Sequence, residues 1–217
     1  MQNIHIATII IIAANVLISL KGFNDFTFFE KYKFNIAGIR RGEQIRMFSS
    51  GFLHGDFSHL LFNMLTLYFF ANVVISNLGV SKFVLVYLLS LLAGNLLSFL
   101  IHKEEYHYSA VGASGAIMGI LYAAILLYPE MSLYLFFIPI PIPAWLFGIM
   151  YLGYTIYGMK KRLGNIGHDA HFGGAIAGYL LTIGFVPSII ETDLWLVGLL
   201  AVPILVLFVL YKLKKIQ

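Results

Sequence analysis

The 217 residues are 60% hydrophobic and only 11% charged, with a mean hydropathy of +0.88 and a formal net charge of +4. That balance excludes a soluble globular domain and reads as an integral membrane protein. The chain has no cysteine, which excludes thiolate nucleophiles, cysteine-ligated metals and disulfides together.

Apolar runs able to reach across a bilayer, roughly 17 to 25 residues each, start near Ile4, Leu60, Phe83, Gly115, Ala144, Phe172 and Leu194. They predict an all-α polytopic bundle of seven helices, some of them short, in a single membrane-embedded domain over residues 1–217. The first run, HIATIIIIAANVLISL, has no Lys or Arg ahead of it and no small-x-small cleavage site behind it, so it reads as a retained helix and not as a signal peptide. The connection from Lys21 to Phe57 mixes charges with aromatic residues and is too apolar for a disordered loop. It is expected to lie in the membrane interface, where aromatic rings and Lys or Arg stems are stable at headgroup depth.

The second helix opens with HGDFSHLLFN, in which His59 and Asn63 stand four apart on one face, with His54 just ahead. The fourth runs from Ser114 to Tyr128, about 15 residues or ~22 Å, against a hydrocarbon core of ~30 Å. Its serine end is therefore expected to be sunk below the lipid surface. The preceding HKEEYHYSAVGA would then descend as irregular backbone beside a wet pocket. The sixth helix opens with GHDAHFGGAIAG, which brings His168, Asp169 and His171 to its start. If successive helices alternate in direction, the starts of the second, fourth and sixth lie on the same side of the membrane, and the three polar clusters converge.

Polar groups at membrane depth are costly and therefore informative. Gly115 with Gly119, and Gly174 with Gly178, are two small-xxx-small pairs suited to close helix approach. His171, Gly174 and Gly178 share a helix face, so the imidazole points where the neighbouring helix comes closest. Singly, each feature has an ordinary structural explanation in packing or in local hydrogen bonding. Together they point to a serine hydroxyl beside an imidazole, the base that this weak nucleophile requires. Asp169 projects from a different side of its helix than His171, so the pattern reads as a dyad and not a triad. The Ser114 amide at a helix N-terminus, with the His59 and Asn63 side chains, supplies donors for a developing oxyanion.

These residues carry a resemblance. GASG before the fourth helix, HGDFSHLLFN in the second and AHFGGAIAG in the sixth resemble, in order and spacing, the rhomboid intramembrane serine proteases over most of the chain. The resemblance implies a six-helix core over about residues 1–190 and one extra C-terminal transmembrane helix over about 191–217. It implies Ser114 as nucleophile and His171 as general base and then acid. His59, Asn63 and the Ser114 amide become the oxyanion hole, and His54 a structural neighbour. Gly112, Gly115, Gly174 and Gly178 surround that site. The expected substrates are transmembrane segments of other proteins, cut in or near the lipid bilayer of a cell membrane. No metal, cofactor or nucleic acid is implied. GEQIR at 42–46 is similar to the family's Trp-Arg signature, with Arg46 kept and Ile45 where Trp is usual, which bears on the packing of that loop. Met118 stands where some members carry a Tyr stacked on the catalytic histidine.

The resemblance implies a cytoplasmic N-terminus and an active-site mouth outside, an arrangement that puts every Lys and Arg except Lys82 on the outer side. The positive-inside rule prefers the reverse, and the two orientations stay open. Among rival functions, a His-box metal site would use His54 with His59, His102 with His107 and His168 with His171, but the spacing is poor and neither HExxH nor Gly-x-Gly-Asp occurs. A non-catalytic relative that binds membrane clients is the alternative; this chain retains both members of the dyad. The oligomeric state and the physiological substrate are not legible.

Overall fold

The computed structural model describes residues 4–134, 140–161 and 167–213. Seven long helices dominate it: α1 (Ile6–Asn24), then, after three short helices, α5 (Phe57–Leu78), α6 (Val80–His102), α7 (Ser114–Leu127), α8 (Ala144–Lys161), α9 (His168–Phe185) and, after the single turn α10 (Ile189–Thr192), α11 (Leu194–Lys212). Each long helix starts within a few residues of its predicted apolar run, so the bundle has the expected six-helix core and one C-terminal addition. Four of them, α1, α5, α6 and α11, are long and apolar enough to cross a membrane unaided. At 14 residues α7 falls short, as its length in the sequence predicts. Arg162 and Gly164 of the MKKRLG stretch, and Lys214 and Lys215 of the basic tail, lie outside the described residues.

The helices are patterned for lipid. In α1 the buried positions are Thr8, Asn15, Ser19 and Gly22, while Ile6, Ile10 and Leu17 are well exposed. Small and polar groups therefore face the bundle and aliphatic ones face outward, because hydrocarbon offers no partner to a buried amide or hydroxyl and neighbouring helices do. Asn15 Nδ2 donates to the Ile11 carbonyl at 2.9 Å and to the Tyr87 hydroxyl at 3.2 Å, which ties α1 to α6. At the centre stands α7, buried along its whole length from Gly115 to Leu126 and packed on by α5, α6 and α9. A helix so enclosed can be shorter than the bilayer is thick, because protein and not lipid surrounds its ends.

The connection between α1 and α5 is an ordered unit built from α2 (Phe26–Tyr32), β1 (Phe34–Asn35), α3 (Ile36–Arg40), α4 (Arg46–Ser49) and a 3₁₀ turn at Ser50–Phe52. Phe34, Ile36 and Ile39 form a small core of their own. Arg46, 9% exposed, organises the unit: its Nη1 donates to the Glu30 carbonyl at 2.8 Å and the Lys33 carbonyl at 2.9 Å, and its Nε donates to Glu43. The hydrogen bond from that guanidinium holds the Glu43 carboxyl below the usual carboxylate range. Ile45 is 56% exposed, so the departure from Trp at this position leaves the packing around Arg46 intact. Strand β1 pairs antiparallel with β2 (Ser109–Ala110), Phe34 opposite Ala110 and Asn35 opposite Ser109. That ladder holds the irregular stretch leading into Ser114 against the connection between α1 and α5. A second two-residue ladder, β3 (Ser132–Leu133) with β4 (Ile142–Pro143), closes the connection from α7 to α8.

Candidate active site

Four segments converge at one end of the bundle. Helix α9 opens after Gly167, and its first turns carry His168, Asp169 and His171. Helix α7 begins at Ser114 itself, so this residue's amide is among the unpaired donors of a helix N-terminus. The two helices run side by side because glycines face each other. A Cβ on Gly174 would overlap the Gly115 carbonyl, one on Gly178 the Gly119 backbone, and one on Gly115 would lie 3.2 Å from the Ala170 carbonyl oxygen. Backbone-to-backbone contact along this seam brings Ser114 Oγ to 2.6 Å from His171 Nε2, hydrogen-bonding distance between groups 57 residues apart. His171 is 5% exposed, whereas Ser114 keeps partial access to its surroundings.

The second ring nitrogen of His171 has a partner that the sequence did not reveal. The Tyr151 hydroxyl, on α8, lies 3.1 Å from His171 Nδ1. Tyr151 is part of an aromatic stripe with Phe147 and Tyr154, one turn to either side. Tyr154 in turn meets the His168 ring edge-on at 5.4 Å. The i, i+4, i+7 spacing of Phe147, Tyr151 and Tyr154 was the available signal, and in an apolar helix it is indistinguishable from ordinary packing. Asp169 is turned away from His171, as its position on the helix predicts. Its carboxylate receives the Tyr108 hydroxyl at 3.4 Å and lies 3.6 Å from His102 Nε2, and the His102 and Tyr108 rings stack at 3.7 Å.

His59 and Asn63 lie on α5, whose N-cap Asp56 accepts the His59 backbone N–H at 2.8 Å. That hydrogen bond holds the exposed Asp56 carboxyl below its ordinary range. Both side chains reach the backbone just ahead of Ser114. Gly112 has φ +130°, and a Cβ there would sit 2.8 Å from His59 Nε2 and 3.7 Å from Asn63 Nδ2. Glycine is required on both counts. Asn63 is 8% exposed, and its Nδ2 is buried with no hydrogen-bond partner among the described residues, a donor aimed into the site with nothing to receive it. His54 is fully buried behind His59, with ring centroids 4.9 Å apart. Its Nδ1 is 2.8 Å from the Ser19 hydroxyl, which itself donates to the Phe52 carbonyl at 3.0 Å, so His54 Nδ1 carries a proton. Burial pushes the His54 ring down to about 3, and it stays neutral. Met118 is buried one turn below Ser114. No group of three or more His, Cys, Asp or Glu among the described residues is disposed to hold a metal ion.

The rhomboid domain pattern matches residues 41–188, well over half of the chain. The chain is 30% identical over 183 residues to RHOMBOID-like protein 12, mitochondrial, of Arabidopsis thaliana, covering 77% of this chain and 54% of that one. It is 34% identical over 140 residues to Rhomboid protein 1, mitochondrial, of Saccharomyces cerevisiae, covering 63% and 40%. With Rhomboid protease GluP of Bacillus subtilis it shares 33% identity over 142 residues, 65% of this chain and 26% of that protein. The chain thus spans about half or less of the length of these relatives. The domain match covers all four helices that build the site, α5, α7, α8 and α9. This multi-pass membrane protein belongs to the rhomboid family.

Proposed function

We propose that the chain is an intramembrane serine endopeptidase that cleaves transmembrane segments of other proteins through an acyl-enzyme on Ser114. The observation that carries the reading is the 2.6 Å approach of Ser114 Oγ to His171 Nε2 across two helices held by a glycine seam. In the reaction Ser114 Oγ attacks the scissile carbonyl carbon while its proton passes to His171 Nε2, which acts as general base. The carbonyl oxygen becomes an oxyanion and takes hydrogen bonds from the Ser114 amide, His59 and Asn63 Nδ2. A donor already buried and unpartnered, as Asn63 Nδ2 is, requires no reorganisation when that charge forms. Collapse breaks the C–N bond, and the imidazolium returns its proton to the departing amine. Water, activated by the same imidazole, then adds to the ester and releases Ser114.

All the bonds made and broken are supplied by side chains, backbone and water, so the reading calls for no cofactor. The partners are membrane-protein substrates and the bilayer that presents them. The same reading puts the chain in a cell membrane; two of the relatives named above carry "mitochondrial" in their names, and fractionation of the source cells distinguishes the compartments. Cleavage of a helical membrane substrate in proteoliposomes tests the activity: the wild-type chain is expected to cut and Ser114→Ala to be inactive. Equal behaviour of the two would instead mark a protein that binds membrane clients without cutting them.

A further inference from the structure

We infer that Tyr151 is the positioning residue of the dyad: its hydroxyl accepts the His171 Nδ1 proton, fixes the tautomer in which Nε2 is a base, and receives the imidazolium when it forms. The inference rests on the protease reading and extends it to a third helix.

A buried imidazole has two nitrogens to satisfy. Nε2 faces Ser114 Oγ at 2.6 Å and can take that proton only if Nδ1 already carries the ring's hydrogen. The group facing Nδ1 is the Tyr151 oxygen at 3.1 Å. After proton transfer both nitrogens are donors, and the ring is a cation only 5% exposed. A donor of that kind left unpaired carries the full cost of desolvation. The neighbouring carboxylate does not serve, since Asp169 is engaged with Tyr108 and His102. His168 meets His171 only edge-on, with ring centroids 6.4 Å apart, too far for a hydrogen bond between ring nitrogens. Among the described residues, Tyr151 is thus the side chain placed to receive the Nδ1 proton throughout the cycle.

Position is enforced from both sides of α8. Phe147 stacks on Tyr151 at 5.9 Å and Tyr154 lies 6.4 Å away, so the ring sits in an aromatic row along one face of the helix. On another face Trp145 meets Trp195 of α11 edge-on at 6.0 Å. Tyr122 of α7 donates to the Gly148 carbonyl at 2.9 Å, pinning the turn that precedes Tyr151. The phenol thus sits between its own helix's aromatic row and His171, on a helix that contacts from α7 and α11 hold in place, which is what a group that orients another requires.

The test uses the full chain in proteoliposomes. Tyr151→Phe keeps the ring and removes the oxygen, and loss of a hydrogen bond to a charged group is expected to lower kcat roughly 10- to 100-fold with KM within about twofold. Tyr157→Phe, an exposed position on the same helix, is the packing control and is expected to match wild type. The ¹⁵N resonances of the His171 ring give a readout that simple loss of packing does not move. Wild type is expected to show protonated Nδ1 and bare Nε2, and Tyr151→Phe a mixture of tautomers. A wild-type ring protonated on Nε2 would overturn the inference without any variant. So would Tyr151→Phe with unchanged kcat in a background where Ser114→Ala is dead. If wild type and Ser114→Ala are equally inactive, it is the protease reading that fails, while the ring resonances still report on Tyr151.

Discussion

Replacing Gly174 with alanine strikes the seam that brings the dyad together. The added methyl would overlap the Gly115 carbonyl and approach Gly115 Cα to 3.0 Å. These are backbone atoms within a buried helix, so no side chain can swing aside. Relief requires α7 and α9 to part by on the order of 1 Å, and overpacking of this kind costs about 1–3 kcal/mol. Gly174 lies three residues after His171 and Gly115 one after Ser114, so the same parting stretches the 2.6 Å contact directly. Beyond roughly 3.2 Å proton transfer loses its hydrogen bond, and a misplacement of about 1 Å costs on the order of 10²-fold in kcat. Gly184→Ala is the control, on the same helix with nothing within 4 Å of the new methyl. It is expected to raise stability by up to about 1 kcal/mol and to leave cleavage unchanged. Both variants are read by unfolding in detergent titrations and by turnover of a membrane substrate. Gly174→Ala with wild-type stability and turnover would refute the reasoning, because it would mean that the helices do not meet at that glycine.

Asn63→Leu separates activity from stability: kcat is expected to fall about 10²- to 10³-fold with the loss of an oxyanion donor. Resistance to unfolding stays equal or rises, since a buried unpartnered amide is removed. His54 gives a pH signature. Its folded pKa is lowered by burial from 6.5 to about 3, so below pH 6.5 the unfolded chain binds a proton that the folded chain refuses. Stability from this group is complete above that pH and is lost as pH falls toward 3, with a slope of up to about 1.4 kcal/mol per pH unit. His54→Gln should flatten the wild-type profile by that amount between pH 6 and 4, and superimposable profiles would contradict the assignment. Arg46→Lys cannot reproduce a fork that serves the Glu30 and Lys33 carbonyls and the Glu43 carboxylate at once. Faster proteolysis of the connection between α1 and α5 is the expected result.

Much of this architecture was legible because lipid imposes a strict code. Long apolar runs located the seven helices, and the GxxxG pairs located the seam between α7 and α9. One length estimate identified α7 as the short, enclosed helix. Ser114, His171, His59 and Asn63 stood out because a polar side chain inside an apolar helix needs a reason to be there. The turning of Asp169 away from His171 followed from helical periodicity alone. Tyr151 escaped because a tyrosine among aromatic residues in a membrane helix carries no contrast, and its function lies in a hydroxyl whose partner is 20 residues away. The pairing of β1 with β2 escaped for a different reason. Two-residue strands leave no periodic trace, and their register is fixed by the tertiary placement of Phe34 and Ala110.

The decisive measurement is covalent labelling of the folded chain with a fluorophosphonate, with the modified residue located by peptide mass analysis. Modification confined to Ser114 in wild type, and abolished in His171→Ala, is the expected result. Labelling at another residue, or labelling of Ser114 that persists undiminished without the imidazole, would contradict a nucleophile activated across the α7–α9 seam.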